Sequence, residues 1–218
     1  MTILLTRPQA SSEALAARLA PLPCLIAPVM RIAPVETLPP LDAEELVFTS
    51  AAAVRVFAAL SDRRDLPVWC VGARCAEAAM AVGMKAQTAD GDLASLDALL
   101  EAEKVARGGL VHLSGTYLTG ELPGVRSIPI YDQPALPPDL AALATLAEGA
   151  ISTVPLYSPR SAALLMDWIG DAPDGDPLYL AMSPAVAAKI TKKGARIGTI
   201  DRPEGWLMEE AIREAASR

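Results

Sequence analysis

The chain has 218 residues, a formal net charge of −7 and a hydrophobic fraction of 52%, enough apolar material for one large domain or two small ones. The acidic balance leaves no basic footprint for a nucleic-acid duplex, and aromatic residues at 4% argue against a stacking platform for single strands. One histidine, His112, and three cysteines, Cys24, Cys70 and Cys75, exclude a multi-histidine metal site and make a poor disulfide framework.

In chain order, residues 3–5 form a short apolar run that fits a strand buried on both faces. Ser11 or Ser12 is expected to cap the helix that follows, and Pro21 and Pro23 end it. Residues 25–29 read as a second strand. The proline-rich stretch 31–40 reads as a semi-rigid crossing to a second domain. There, strands are expected at 46–49, 68–71, 85–88, 110–113 and 127–131. Helices are expected at 51–60, 74–82 and 93–103, with Gly83 as a left-handed helix cap. Residues 114–122 read as a weak helix or loop, and Pro134, Pro137 and Pro138 mark a second crossing. The remainder reads as helix 140–147, strand 152–157, helix 161–169, strand 178–181, helix 184–192 capped by Gly194, strand 196–200 and helix 204–216.

The order of elements is doubled. Leu46 to Val54 runs from strand to hydroxyl corner to alanine-rich helix, and Val154 to Leu164 does the same. The eleven-residue step from Gly72 to Gly83 recurs from Ser183 to Gly194. Residues 4–29 match residues 111–131. These matches predict an α/β protein of two flavodoxin-like or Rossmann-like domains with parallel sheets and right-handed crossovers. One domain is discontinuous, residues 1–32 plus 137–218. The other, 38–131, is inserted, and 33–37 and 132–136 form a two-stranded linker.

In open α/β sheets, ligands bind beyond the carboxyl ends of the strands. Arg7, Thr49, Ser50, Gly72, Arg74, Ser114, Gly115, Ser158, Arg160 and Ser183 fall at those ends. Several open helices, where free backbone N–H groups favour anions. Each hydroxyl could serve only as a helix cap. Six such corners facing one cleft point to a shared anionic ligand. Glycine-rich nucleotide loops and a nucleophile elbow are absent. Asp90 and Asp92 read as a turn and helix cap, Cys70 as a small core residue, and His112 as a structural or strand-surface histidine. The first eight residues lack the features of a signal peptide, and no run is long enough to span a bilayer. The expected location is cytoplasmic.

Leu5-Thr6-Arg7-Pro8, Phe48-Thr49-Ser50 with Ala53-Val54, Val71-Gly72, Ile130-Tyr131, Tyr157-Ser158-Pro159 and Ser183-Pro184 together resemble the uroporphyrinogen-III synthase family, over essentially the whole chain. The resemblance implies a cofactor-free, metal-free lyase. Such an enzyme closes linear hydroxymethylbilane to uroporphyrinogen III with loss of water and inversion of ring D. It also implies a polycarboxylated tetrapyrrole as the partner, a monomer, and transient contact with the preceding pathway enzyme. Nucleic acid and membrane are not expected partners. Arg7, Arg74 and Arg160, with Arg55, would make the cleft locally positive.

The chain departs from the family pattern in three places. Ala51-Ala52-Ala53 stands where an asparagine is common, and Cys75 or Ala76 where a threonine is common. Residues 143–146 offer Thr145 where some members carry a tyrosine linked to hydroxyl loss. Tyr117 and Thr145 are therefore the candidates for the catalytic hydroxyl. The alternative from a different class is a non-catalytic two-domain binding protein or sensor for a small anion.

Overall fold

Ile3, Leu4 and Leu5 are each nearly inaccessible, so this strand has apolar neighbours on both faces, as a central strand of a parallel sheet requires. A computed structural model of the chain describes residues 2–118, 120–202 and 204–217. Met1 and Arg218, which the expected boundaries include, lie outside the described residues. The chain divides into two compact units, Met1–Arg31 with Pro134–Arg218, and Ile32–Gln133.

The first unit contains strands β1 (Thr2–Leu5), β2 (Cys24–Ile26), β9 (Ile151–Leu156), β10 (Leu178–Ala181) and β11 (Arg196–Thr199). They form one parallel sheet in the order β11-β10-β9-β1-β2. Helices α1 (Gln9–Leu19), α5 (Leu140–Ala147), α6 (Pro159–Ile169), α7 (Pro184–Ala187) and α8 (Gly205–Ala216) complete it. Its core joins Leu15 and Leu19 of α1 and Leu165 and Ile169 of α6 to the strands.

The second unit contains β3 (Ala33–Pro34), β4 (Glu45–Phe48), β5 (Val68–Cys70), β6 (Ala86–Thr88), β7 (Leu110–Gly115) and β8 (Arg126–Asp132). Their order is β3-β8-β7-β4-β5-β6, all parallel except the antiparallel β3–β8 pair. Helices α2 (Ala51–Leu60), α3 (Ala73–Ala81) and α4 (Leu93–Ala102) cover the sheet. Leu46 and Phe48 join one core cluster with α2 and α3. Val47, of opposite pleat, joins another with Leu96 and Leu100 of α4.

The five strands of the first sheet correspond to the five parallel strands of the second; the antiparallel β3 has no counterpart. Phe48 lies opposite Cys70, and Leu156 opposite Ala181. Gly83 and Gly194 both take positive φ, +87° and +80°. Strands β9, β10 and β11 therefore correspond to β4, β5 and β6, and the N-terminal pair β1–β2 corresponds to β7–β8. In its own chain order the first unit reads 2-1-3-4-5, the flavodoxin-like order, and the five parallel strands of the second read 3-2-1-4-5, the Rossmann-like one.

Several elements differ from the sequence reading. Ser11 and Ser12 do not cap α1. The helix starts at Gln9 behind Pro8, with no side-chain cap. Ser12 lies inside it, its hydroxyl donating to the Arg7 carbonyl at 2.8 Å. Strand β2 ends at Ile26, although Ala27 and Val29 still donate to Leu5 and Thr6; Pro28 between them falls on the open-edge side, where a missing N–H is tolerated. Helix α7 is four residues rather than nine. Beyond it Lys189 and Ile190 donate three residues back, the tighter 3-10 pattern. The proline-rich stretch adds the strand β3, whose Pro34 is tolerated because β3 lies at a sheet edge.

Candidate functional site

Each sheet reverses its strand order at one point, and ligands bind beside that point in folds of this kind. In the second unit it lies between β4 and β7, so the residues just beyond those strands decide what the corner can bind. Ser50 is the N-cap of α2 and its hydroxyl accepts from the Ala52 N–H at 3.0 Å. The buried Tyr131 hydroxyl donates to the same oxygen at 3.2 Å. Tyr131 reaches Ser50 across Gly115: a Cβ there would sit 2.6 Å from Tyr131 Cζ. Burial, the largest influence, raises the Tyr131 pKa against the lowering effect of Ser50. The phenol is thus held protonated, as a donor.

On the opposite face of the same strands, Thr49 Oγ1 lies 2.9 Å from Nε2 of the buried His112. Nδ1 of that ring lies 3.0 Å from Ser127 Oγ. Burial pushes the imidazole pKa down to about 4, so the ring is neutral at ordinary pH. Ser114, two residues further along β7, is buried, and its hydroxyl has no hydrogen-bond partner among the described residues.

Gly72 is the N-cap of α3. A side chain there would crowd Gly91 Cα, at 3.2 Å from the added Cβ, and the Gly91 N–H donates to the Val71 carbonyl at 2.7 Å. Asp92 beside it caps α4, accepting from the Ser95 N–H at 2.7 Å, in line with its reading as a turn and cap. Arg74 is half-buried on the first turn of α3. Cys75 donates to the Phe48 carbonyl at 3.3 Å. Its hydrogen bond with Cys70, then burial, push its pKa well above the usual thiol range, which removes it as a nucleophile.

The corresponding corner of the first unit lies beyond β1 and β9. Ser158 caps α6 in a closed capping box: it accepts from the Ser161 N–H at 3.1 Å, and the Ser161 hydroxyl lies 3.0 Å from its own. The Arg7 guanidinium stacks over the Tyr157 ring, 4.2 Å from its centroid, a cation–π arrangement. Arg160 occupies the first turn of α6. Ser183 caps α7, accepting from the Val186 N–H at 3.4 Å.

The sequence-predicted residues therefore fall into two groups. Thr49, Ser50, Gly72, Arg74, Ser114 and Gly115 gather at the carboxyl end of the second unit's sheet, with the half-exposed Tyr117 just past β7. Arg7, Ser158, Arg160 and Ser183 gather at that of the first. Thr145 joins neither. It sits in the last turn of α5, its hydroxyl bonded to the Ala141 carbonyl. Its own carbonyl accepts from Ala150, next to the amino end of β9 and the wrong end of the sheet for ligand chemistry. A hollow of about 420 Å³ lined by Met166, Gly170, Asp171, Thr191, Lys192 and Lys193 also lies away from the corners, past the C-terminal end of α6. Sequence reasoning missed Tyr131 and Ser127 as site residues and left His112 without a partner. The available signal was a tyrosine ending a strand immediately before a proline-rich stretch.

The model of the family described as Uroporphyrinogen-III synthase HemD matches residues 12–204. The chain belongs to the uroporphyrinogen-III synthase family. It is thereby a cyclising lyase of porphyrin and haem biosynthesis acting on a tetrapyrrole, and the match favours catalysis over a non-catalytic anion sensor. Among solved structures, the uroporphyrinogen-III synthetase of Helicobacter pylori 26695 is 14% identical, with 98% of each chain covered and a TM-score of 0.65. A mutant uroporphyrinogen III synthase of the extremely thermophilic bacterium Thermus thermophilus is 16% identical, covering 100% of this chain and 99% of that one, with a TM-score of 0.52. At these identities the likeness concerns the fold. None of the curated proteins compared with the chain matches it significantly.

Within this synthase family the chain's departures acquire positions. Ala51, Ala52 and Ala53 form the first turn of α2, so that turn carries backbone N–H groups but no side-chain amide. Among the described residues no group of acidic, cysteine or histidine side chains could hold a metal ion, and no helix is long and apolar enough to cross a membrane.

Proposed function

We propose that the chain closes hydroxymethylbilane to uroporphyrinogen III with Tyr131 as the hydrogen-bond donor that assists loss of the terminal hydroxyl. The observation that carries this assignment is the buried phenol at this corner, whose one proton goes to Ser50 Oγ across Gly115 when no substrate is bound and turns to the leaving hydroxyl when substrate arrives. Breaking the C–O bond places negative charge on the departing oxygen, and a donor in a partly desolvated corner stabilises that charge. The raised pKa of Tyr131 makes full proton transfer costly, so the phenol polarises the bond, and the leaving hydroxyl gains its proton from the substrate's pyrrole N–H or a carboxyl group. The resulting azafulvene is reactive by itself, and the protein's remaining task is to hold one closure geometry.

Substrate carboxylates are taken by the helix N-termini and hydroxyls at Thr49, Ser50, Gly72, Ser114, Gly115, Ser158 and Ser183, aided by the cations Arg7, Arg74 and Arg160. Tyr117 borders this set as a contact residue. The protein works in the cytoplasm as a monomer and meets the preceding pathway enzyme transiently, receiving its unstable product.

The test is the rate at which hydroxymethylbilane disappears at increasing protein concentration. Consumption proportional to protein and well above spontaneous closure is expected. A rate indistinguishable from the protein-free control would refute the assignment.

A further inference from the structure

His112 is buried in the second unit between two hydroxyls, Thr49 Oγ1 on Nε2 at 2.9 Å and Ser127 Oγ on Nδ1 at 3.0 Å. Among the described residues neither hydroxyl has another partner. Thr49 immediately precedes the N-cap of α2 and is half-exposed at the carboxyl end of β4. Of its one proton and two lone pairs, one is committed to the imidazole and two are left for the corner.

A neutral imidazole donates from one nitrogen and accepts at the other. Two arrangements are then open. If Nδ1–H donates to Ser127, Thr49 must donate its only proton to Nε2 and can offer a ligand nothing but lone pairs. If Ser127 donates to Nδ1, Nε2–H donates to Thr49, and the threonine proton is free to point away from the ring. An anion beside the N-terminus of α2 is served only by the second.

We propose that His112 is a positioning residue: with Ser127 donating to Nδ1, it holds the Thr49 hydroxyl so that its proton is presented to a substrate carboxylate. This rests on the reading of the substrate as a polycarboxylated tetrapyrrole. It assigns to the chain's single histidine a role in binding rather than in proton transfer. Burial keeps the ring neutral, as the arrangement needs.

Two measurements test it. With one histidine in the chain, a nitrogen-15 spectrum of the histidine-labelled protein reports this ring alone. A pure Nε2–H tautomer is expected, collapsing to an averaged pair of shifts in Ser127→Ala. A pure Nδ1–H tautomer, or a wild-type spectrum unchanged by Ser127→Ala, would overturn the assignment. In steady-state assays, Thr49→Val should raise KM about tenfold at nearly constant kcat, the size expected for one hydrogen bond to a charged group, and Thr49→Ser should restore it. His112→Phe should raise KM similarly, and the double variant no further, because the ring acts through Thr49. Losses that multiply, or that fall on kcat, would contradict the proposal. A wild-type chain without activity would fail the functional reading instead, and the tautomer would then decide the hydrogen-bond assignment on its own.

Discussion

The Ser50 and Ser158 corners occupy corresponding places in two sheets of the same spatial arrangement, yet their hydroxyls are differently committed. Ser158 is closed on itself by a capping box with Ser161. Ser50 caps through a single backbone N–H and also receives the Tyr131 hydroxyl. Beside Ser158, an arginine stacks on a tyrosine ring. Beside Ser50, a glycine leaves room for a phenol to cross, and a buried histidine grips the neighbouring threonine. One scaffold thus carries a corner suited to charge and a corner suited to directed hydrogen bonds. Doubling of the fold does not double the chemistry.

Substitutions can break this contrast. The largest effect is expected from Gly115→Ala. Its Cβ would lie 2.6 Å from the Tyr131 ring, so the ring must move. A displacement of that kind costs about 100-fold in kcat and about 1–3 kcal/mol of stability, measured by assay and urea melts. Tyr131→Phe should lower kcat by roughly 10- to 100-fold while costing only about 1 kcal/mol of stability. Tyr157→Phe keeps the ring under Arg7 and should change kcat far less. If the two tyrosine variants behave alike, the asymmetry between the corners is wrong.

Acid should act mainly on the second unit. In the folded state the His112 pKa is lowered to about 4 from an ordinary 6.5, so only the unfolded chain takes up a proton between those values. The stability this ring contributes is present above about pH 6.5 and lost as pH falls toward 4, at about 1.4 kcal/mol per pH unit. Urea midpoints between pH 7 and pH 4.5 should fall accordingly, and His112→Phe should flatten the decline. The smallest effects belong to the caps. Ser158→Ala should cost about 1 kcal/mol of stability with little change in activity. Ser50→Ala should cost about the same and also slow turnover, because Tyr131 loses the partner that holds its hydroxyl at the corner.

Much of the fold was legible because it rests on local signals. Consecutive apolar residues such as Leu46-Val47-Phe48, bounded by turn signals, suit a strand covered on both faces. The matching step from Gly72 to Gly83 and from Ser183 to Gly194 leads in each copy to a glycine at positive φ, but only Gly83 follows a helix end directly; Gly194 does not cap α7, which ends at Ala187, and lies in the turn before β11. Less legible were features where proline or a short side chain changes the local rule, such as Pro8 displacing the expected serine cap. The site was legible as a set of corners but not as a set of contacts. Tyr131 and Ser50 are 81 residues apart, and Thr49 and His112 are 63 apart, separations over which periodicity carries no information. Thr145 illustrates the converse. Its residue type suited the role, but the direction of α5 places it at the amino end of the sheet.

The most direct measurement feeds freshly made hydroxymethylbilane to the purified protein and separates the oxidised product by isomer. Uroporphyrin III in clear excess over the spontaneous background is the predicted result. Uroporphyrin I alone would contradict the account.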